Sequence, residues 1–418
     1  MKTSKLSGFY KRNPKERLEI VKDFAGLTDD EIAVLSTTGS LGDLADRMIE
    51  NVIGTMPLPL GIATNFLING KDYLIPMAIE EPSVVAAASN AAKMARATGG
   101  FQTSSMDPIM IGQIQVTDVP DPSSAKFSVL AHKARILEIA NEKDSVLVSL
   151  GGGAKDVEVK IINTVAGPQV IVHLLVNVKD AMGANAVNTM AEAVAPFIEQ
   201  ITGGKVYLRI ISNLATYRLV FARAVFAKDA IGGEGVVDGI LNAYEFANAD
   251  PYRCATHNKG IMNGIDPVVI ATGNDFRAVE SGAHAYASIT GQYQPLTRWE
   301  KNKDGDLVGT IELPLAVGLV GGATTTHPTA KANVKILGVK TANELAELIA
   351  AVGLAQNFAA LRALATEGIQ RGHMSLHARN VAIAAGAEGD QIDKVVEILV
   401  KEKQVRIDRA KEVLETLK

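Results

Sequence analysis

Arg253, Cys254, His257, Asn258, Lys259 and Asn263 stand close together in the chain with Gly260 among them and Gly264 directly after, and Thr272-Gly273-Asn274-Asp275 follows shortly. Two cations, a carboxylate and several side-chain amides are thus concentrated in one polar stretch. A lysine beside carboxylates can stabilise an oxyanion or move a proton. The stretch is too polar for a core strand and too rich in glycine for a stable helix. The expected structure is a backbone bent around a polar ligand, with Lys259 and Asp275 in a defined relation.

These residues resemble the catalytic core of 3-hydroxy-3-methylglutaryl-CoA (HMG-CoA) reductases, specifically the soluble class II enzymes. Further blocks agree and come in the family's order: Glu50-Asn51-Val52-Ile53-Gly54, Glu80-Glu81-Pro82-Ser83, Asp180-Ala181-Met182-Gly183-Ala184-Asn185 and Gly372-His373-Met374. Together they extend over essentially the whole chain. The resemblance implies conversion of HMG-CoA to mevalonate and CoA by two hydride transfers, a reaction that also runs backward.

It also implies roles for single residues. Lys259 matches the catalytic lysine, Asp275 the aspartate that holds it, and Glu81 the glutamate that acts as acid in aldehyde reduction. The Glu-Pro-Ser motif favours Glu81 over Glu80. His373 matches the histidine that protonates the departing thiolate, and imidazole is suited to that task near neutrality. Arg253, Ser83, Asn213 and Asn263 match positions that contact the HMG portion. Arg253 is the natural carboxylate clamp, since a guanidinium binds an acid bidentately. The remaining histidines His132, His173, His284 and His327 read as structural or surface residues, whereas His377 follows His373 by one helical turn.

The chain contains neither a G-x-G-x-x-G nor a Walker A sequence, so a standard Rossmann site is not expected. Asp180, Met182, Gly183, Ala184 and Asn185 lie where a strand gives way to a helix, and small residues there let phosphate approach helix N-terminal amides. Read alone, this is a capped helix start; the resemblance makes it the dinucleotide-binding motif. Asp144 matches a carboxylate that some class II members place near the adenosine ribose. A carboxylate there accepts from a 2′-hydroxyl and repels a 2′-phosphate, which favours NAD, with NADP as the alternative. No metal is expected.

Bulk properties agree. The 418 residues suffice for two or three domains. A net charge of −4 offers no basic face for nucleic acid or an anionic membrane. One cysteine excludes an internal disulfide and suits a reducing cytoplasm. No span is expected to reach the roughly 20 clean apolar residues of a membrane helix; the nearest candidate, Leu307 to Ala323, is interrupted by Glu312, Pro314 and several glycines.

The elements that must position these residues follow from pattern. Thr28-Asp29-Asp30-Glu31 is a capping box, and a second helix is expected from Gly42 to Asn51. A buried strand from Tyr73 to Ile79 precedes a helix from Pro82 to about Ala97, which puts Glu81 at a strand-to-helix junction. From Gly112 the pattern predicts strand, helix (Ser128 to Lys143), two strands (Val157 to Asn163, Val170 to Val178), helix (Ala184 to Ile201) and strand (Val206 to Ser212). This β-α-β-β-α-β order is the ferredoxin-like unit. Helices are expected over Ala342 to Ala351, Gln356 to Thr366 and Asp390 to Lys403.

The expected fold is therefore α/β (α+β): a large mixed domain at 1–109 and 218–376, an inserted ferredoxin-like cofactor domain at 110–217, and a small helical C-terminal flap at 377–418. The flap would be mobile and deliver His373 on closure. Glu50 to Gly54 begins the family's dimer motif, so the resemblance implies at least a homodimer with active sites between subunits. Three rivals stand beside this reading: the same fold using NADPH in biosynthesis, acyl transfer through Cys254 and His257, and a non-catalytic CoA-binding protein.

Overall fold

The computed structural model describes residues 3–36, 41–51, 53, 55–366 and 369–417, excepting the side chains of Tyr10, Pro14, Ser36, Gly42, Asp43 and 369–376. The N-terminal part carries α1 (Pro14–Ala25), α2 (Asp29–Ser36), β1 (Leu60–Ile68), β2 (Lys71–Ala78), α3 (Val84–Arg96) and β3 (Phe101–Ser105). The capping box forms as expected, with Thr28 N donating to Glu31 Oε2 at 2.7 Å. The helix expected from Gly42 to Asn51 is instead a short 3₁₀ segment, Gly42–Arg47.

An inserted unit follows: β4 (Ile109–Thr117), α4 (Pro122–Ala131), α5 (Lys133–Asn141), α6 (Ser145–Ser149), β5 (Gly153–Thr164), β6 (Gly167–Asn177), α7 (Ala184–Thr202) and β7 (Lys205–Ser212). Its four strands pair antiparallel in the order β5-β6-β4-β7. That is the ferredoxin-like arrangement, and its helices enclose a separate apolar core around Ile114, Ile136, Val172 and Val194. The single helix expected from Ser128 to Lys143 is divided between α4 and α5 at His132, whose backbone leaves helical geometry.

The chain returns through β8 (Leu219–Phe226), α8 (Lys228–Ile231), α9 (Glu234–Ala249), α10 (Pro251–Ala271), α11 (Phe276–Ala287), β9 (Thr297–Lys301), β10 (Leu307–Pro314), α12 (Gly322–Thr326) and α13 (Pro328–Leu337). It ends in α14 (Ala342–Ala365), α15 (Ile369–Ala384), α16 (Asp390–Glu402) and α17 (Ile407–Thr416). The six-stranded sheet runs β2-β1-β3-β8-β10-β9. The last three helices share a small core of their own, including Val381, Val395, Leu399 and Val413.

Two further differences from the sequence expectation also concern helices. The stretch expected to be bent and non-helical, 253–264, lies inside α10, a continuous helix of 21 residues. Asp250 caps it, accepting from Arg253 N at 2.7 Å, and Pro251 occupies the first turn. Its buried positions include Cys254, His257, Asn258, Ile261, Met262, Gly264, Ile265, Val268 and Val269, a helical stripe whose polar members hid the periodicity. Glycine is required at 264 because α14 passes there: a Cβ would lie 2.8 Å from Gln356 Cβ and 2.9 Å from Val352 O. Tertiary packing thus outweighs a helix penalty of about 1 kcal/mol per glycine.

The two helices expected at Ala342 to Ala351 and Gln356 to Thr366 are one helix, α14. The gap expected between them, and the start of the second helix, are places where α14 makes contacts. Gly353 packs on Ile265, and Asn357 accepts from Thr297 Oγ1 and Trp299 Nε1 at 2.9 and 2.8 Å. Buried at every position from Leu348 to Phe358, α14 runs through the large core. It alone among the described residues is long and apolar enough to cross a membrane, but most of it is buried inside the protein. Leu307 to Ala323, the nearest candidate by sequence, forms β10, its exit loop and the start of α12.

Candidate active site

Glu81 lies in the turn between β2 and α3, and Lys259 on the solvent side of α10, which packs beside β2. Lys259 Nζ donates to Glu81 Oε2 at 3.1 Å. Asn263, one turn further along α10, donates Nδ2 to the same oxygen at 3.4 Å. A cation, a carboxylate and an amide therefore converge on one point. Ser83 follows two residues after Glu81 in a left-handed conformation, φ 78°. A non-glycine residue rarely adopts it, and such strain concentrates at functional sites.

Arg253 stands on α10 before Lys259, half-buried, and burial lowers its pKa from the ordinary arginine value. Asp275 does not join this group. Its carboxylate caps α11, accepting from Arg277 N at 3.0 Å and Ala278 N at 3.2 Å, and pairs with the Arg277 guanidinium at 3.1 Å. Among the described residues no hydrogen bond or ion pair links Asp275 to Lys259, whose carboxylate partner is Glu81. Asn213 lies exposed after β7, its backbone against Gly282 of α11. The His373 side chain, and Val52 and Gly54 of the dimer motif, lie outside the described residues.

The site is open: 61% of the Lys259 side chain and 35% of Glu81 are exposed. A concavity of about 690 Å³ among the described residues lies elsewhere, on the outer face of β3, β8 and β10, lined by Arg223, Tyr286, Arg298 and Glu312 but by none of the expected site residues.

Asp180 to Asn185 form the turn that opens α7. Gly183 adopts φ 108° and is the N-cap, with a Cβ position only 2.7 Å from Val178. It offers no capping side chain, so the first amides of a 19-residue helix are available to an anion, which fits a dinucleotide phosphate. Asp180 has a use the sequence did not suggest. Its Oδ1 accepts from Ala342 N, at the start of α14, at 2.8 Å. Asp144 caps α6 through Leu147 N at 2.9 Å.

Residues 13–378 match the protein family described as Hydroxymethylglutaryl-coenzyme A reductase. The chain belongs to that family. A 3-hydroxy-3-methylglutaryl-coenzyme A reductase of Archaeoglobus fulgidus is 67% identical over all of this chain and 95% of its own length. A probable HMG-CoA reductase of Borreliella burgdorferi is 38% identical over 81% of this chain and 78% of its own. A solved class II reductase from Streptococcus pneumoniae, described as bound to NADPH in open conformations, is 42% identical with a TM-score of 0.83, covering 97% of this chain and 100% of that one. The class II resemblance and the mixed α/β fold are thereby established.

Within this HMG-CoA reductase fold, the Cys254–His257 rival loses its chemistry. Burial raises the Cys254 thiol to about 11, so it is not a thiolate at neutral pH. His257 faces the core, its Nε2 2.7 Å from Thr297 Oγ1, and burial lowers it to about 3, with Arg253 adding to the effect. Neither could activate the other.

Two groups escaped the sequence reading. Asp266 follows Lys259 and Asn263 on α10, and burial, then the Glu280 carboxyl beside it, raises it to about 8. Arg218, between β7 and β8, is buried and donates to the carbonyls of Ala181, Met182 and Val317. Asp266 was overlooked within a helix not expected to form. A lone arginine before a strand carries no motif.

Proposed function

We propose that the protein interconverts HMG-CoA and mevalonate plus CoA at the Lys259–Glu81 site. The observation that carries this reading is the convergence of Lys259, Asn263 and Glu81 in a chain of this family. Lys259 stabilises the oxyanion formed at each reduction, and a donor of this kind in a water-excluded site is worth roughly 3–4 kcal/mol. Glu81 gives the proton that the reduced aldehyde oxygen requires. His373 protonates the departing CoA thiolate. Asp275 tunes Lys259 after exchanging its helix-capping bonds for the lysine. Arg253, Ser83, Asn213 and Asn263 hold the HMG portion, with Arg253 on its carboxylate.

A nicotinamide dinucleotide supplies hydride when bound. Asp180, Met182, Gly183, Ala184 and Asn185 would hold its phosphates at the start of α7, and Asp144 its ribose. We favour NAD and the catabolic direction on the strength of the Asp144 carboxylate. The biosynthetic, NADPH-dependent reading is favoured by the NADPH of the Streptococcus pneumoniae structure.

The openness of Lys259 fits closure by other parts of the assembly. Residues 377–418, with their own small core, would act as a flap that on closure delivers His373, which lies just before it, and would be distinct from the large domain (1–109 and 218–376) and the cofactor domain (110–217). Exposed Ile49, Ile53 and Met56 suit a homodimer interface that completes the site. A lone, buried Cys254 suits a cytoplasmic protein.

The test is to mix protein with mevalonate and CoA and follow reduction of NAD and of NADP separately. Reduction of NAD alone supports both the reaction and the Asp144 reading. Preference for NADP keeps the reaction and overturns that reading. No signal with either, in both directions, overturns the function. The flap reading has its own check: crosslinking it should abolish turnover, and unchanged turnover would exclude it.

A further inference from the structure

Arg218 sits where the chain passes from the inserted unit into β8, and only 2% of it is exposed. Burying a guanidinium is costly unless its protons are satisfied. Here they go to backbone oxygens, not to a carboxylate. One nitrogen donates to both Ala181 O and Met182 O at 3.2 Å, and the other donates to Val317 O. Burial lowers its pKa to about 10, against the opposing pull of Asp180, so it is a cation at neutral pH.

The same turn is held from its other side. Leu319 N and Val320 N donate to Asp180 O at 2.8 and 3.2 Å. Gly318 passes so close that a Cβ would lie 2.5 Å from Met182 N. Gly318 N in turn donates to Asn274 Oδ1 at 2.7 Å, and Asn274 adjoins Asp275. A continuous set of bonds therefore runs from the start of α7 through residues 317–320 to the turn that opens α11.

We propose that Arg218 is a positioning residue that fixes the Asp180–Asn185 turn against the Asn274–Asp275 turn and so sets dinucleotide affinity without touching the reacting atoms. The proposal rests on reading Asp180–Asn185 as the dinucleotide site. Lysine cannot replace Arg218 fully, because a point ammonium does not span carbonyls of two segments as a planar fork does.

The test compares Arg218→Lys, Gly318→Ala and Asn185→Asp. Dissociation constants for reduced NAD and NADP are read from nicotinamide fluorescence, beside steady-state constants and thermal melts. Gly318→Ala pushes the same turn without altering the Arg218 charge, so it decides the matter even if Arg218→Lys fails to fold. Expected are dinucleotide constants raised about tenfold or more by small misplacement, with the KM for HMG-CoA unchanged. Lower melting temperatures with unchanged dinucleotide affinity would overturn the positioning role. Asn185→Asp places a negative charge at the α7 start, which suits the helix but repels phosphate. If it weakens dinucleotide while the other two do not, the Arg218 role alone falls. If it leaves affinity unchanged, the reading of the turn falls, and the proposal with it.

Discussion

Lys259 Nζ and Glu81 Oε2 lie 3.1 Å apart across 178 positions of sequence. One comes from the solvent face of α10 and the other from the turn after β2, and their side chains are 61% and 35% exposed. An ion pair this exposed contributes only about 0–1 kcal/mol to stability. Stability therefore does not explain the pairing, whereas the proposed chemistry of this site would.

Lys259→Ala should accordingly separate the two. We expect turnover to fall by about 10²–10³ while the melting temperature moves by less than about 2 °C. Binding of CoA should persist. Steady-state kinetics, calorimetric melting and titration with CoA check the three parts.

Cys254→Ala should leave turnover within a few-fold of the parent, because the thiol is buried and held protonated. The native thiol should also resist iodoacetamide at pH 7 and react after unfolding. Loss of turnover together with a covalent acyl adduct in the parent, seen by mass spectrometry, would instead support acyl transfer.

Stability should respond to pH, with opposite signs, at two groups that burial shifts. The folded state lowers His257 from 6.5 to about 3. The unfolded chain therefore binds more protons between these values, and stability is lost as pH falls through them. The folded state raises Asp266 from 3.8 to about 8, so the folded chain holds the extra proton and stability is lost as pH rises toward 8. The two oppose each other up to pH 6.5, leaving Asp266 to govern the decline above it. Melting temperatures at pH 6 and 8 should differ for the parent and converge in Asp266→Asn, which cannot titrate.

Gly264→Ala should destabilise by roughly 1–3 kcal/mol, as overpacking does, because the new methyl meets Gln356 Cβ and the Val352 carbonyl. A shift of α10 carries Lys259 with it, so kcat should fall as well. Denaturant unfolding and kinetics on the same preparation check both. Gly260→Ala, where a Cβ meets nothing within 4 Å, is the matched control and should be neutral or stabilising.

The β-α-β-β-α-β order of the inserted unit was legible because its strands alternate and its helices keep an apolar face, both properties of short stretches. The Thr28 capping box and the junction position of Glu81 are local in the same way. Lys259 and Glu81 could be chosen from residue types and resemblance, but their contact could not, since it depends on α10 packing beside β2. The helical state of 251–271 was decided by tertiary burial: His257, Asn258 and Gly264 look like loop residues until Thr297, Gln294 and α14 provide their partners. Asp275 was legible as an acid, but its taking up the α11 cap depends on local backbone geometry. By itself the sequence determined which chemical groups are present and the order of the elements that carry them. Which groups meet was decided only by the tertiary structure, because a side chain's partner and its loss of water are properties of the packed chain.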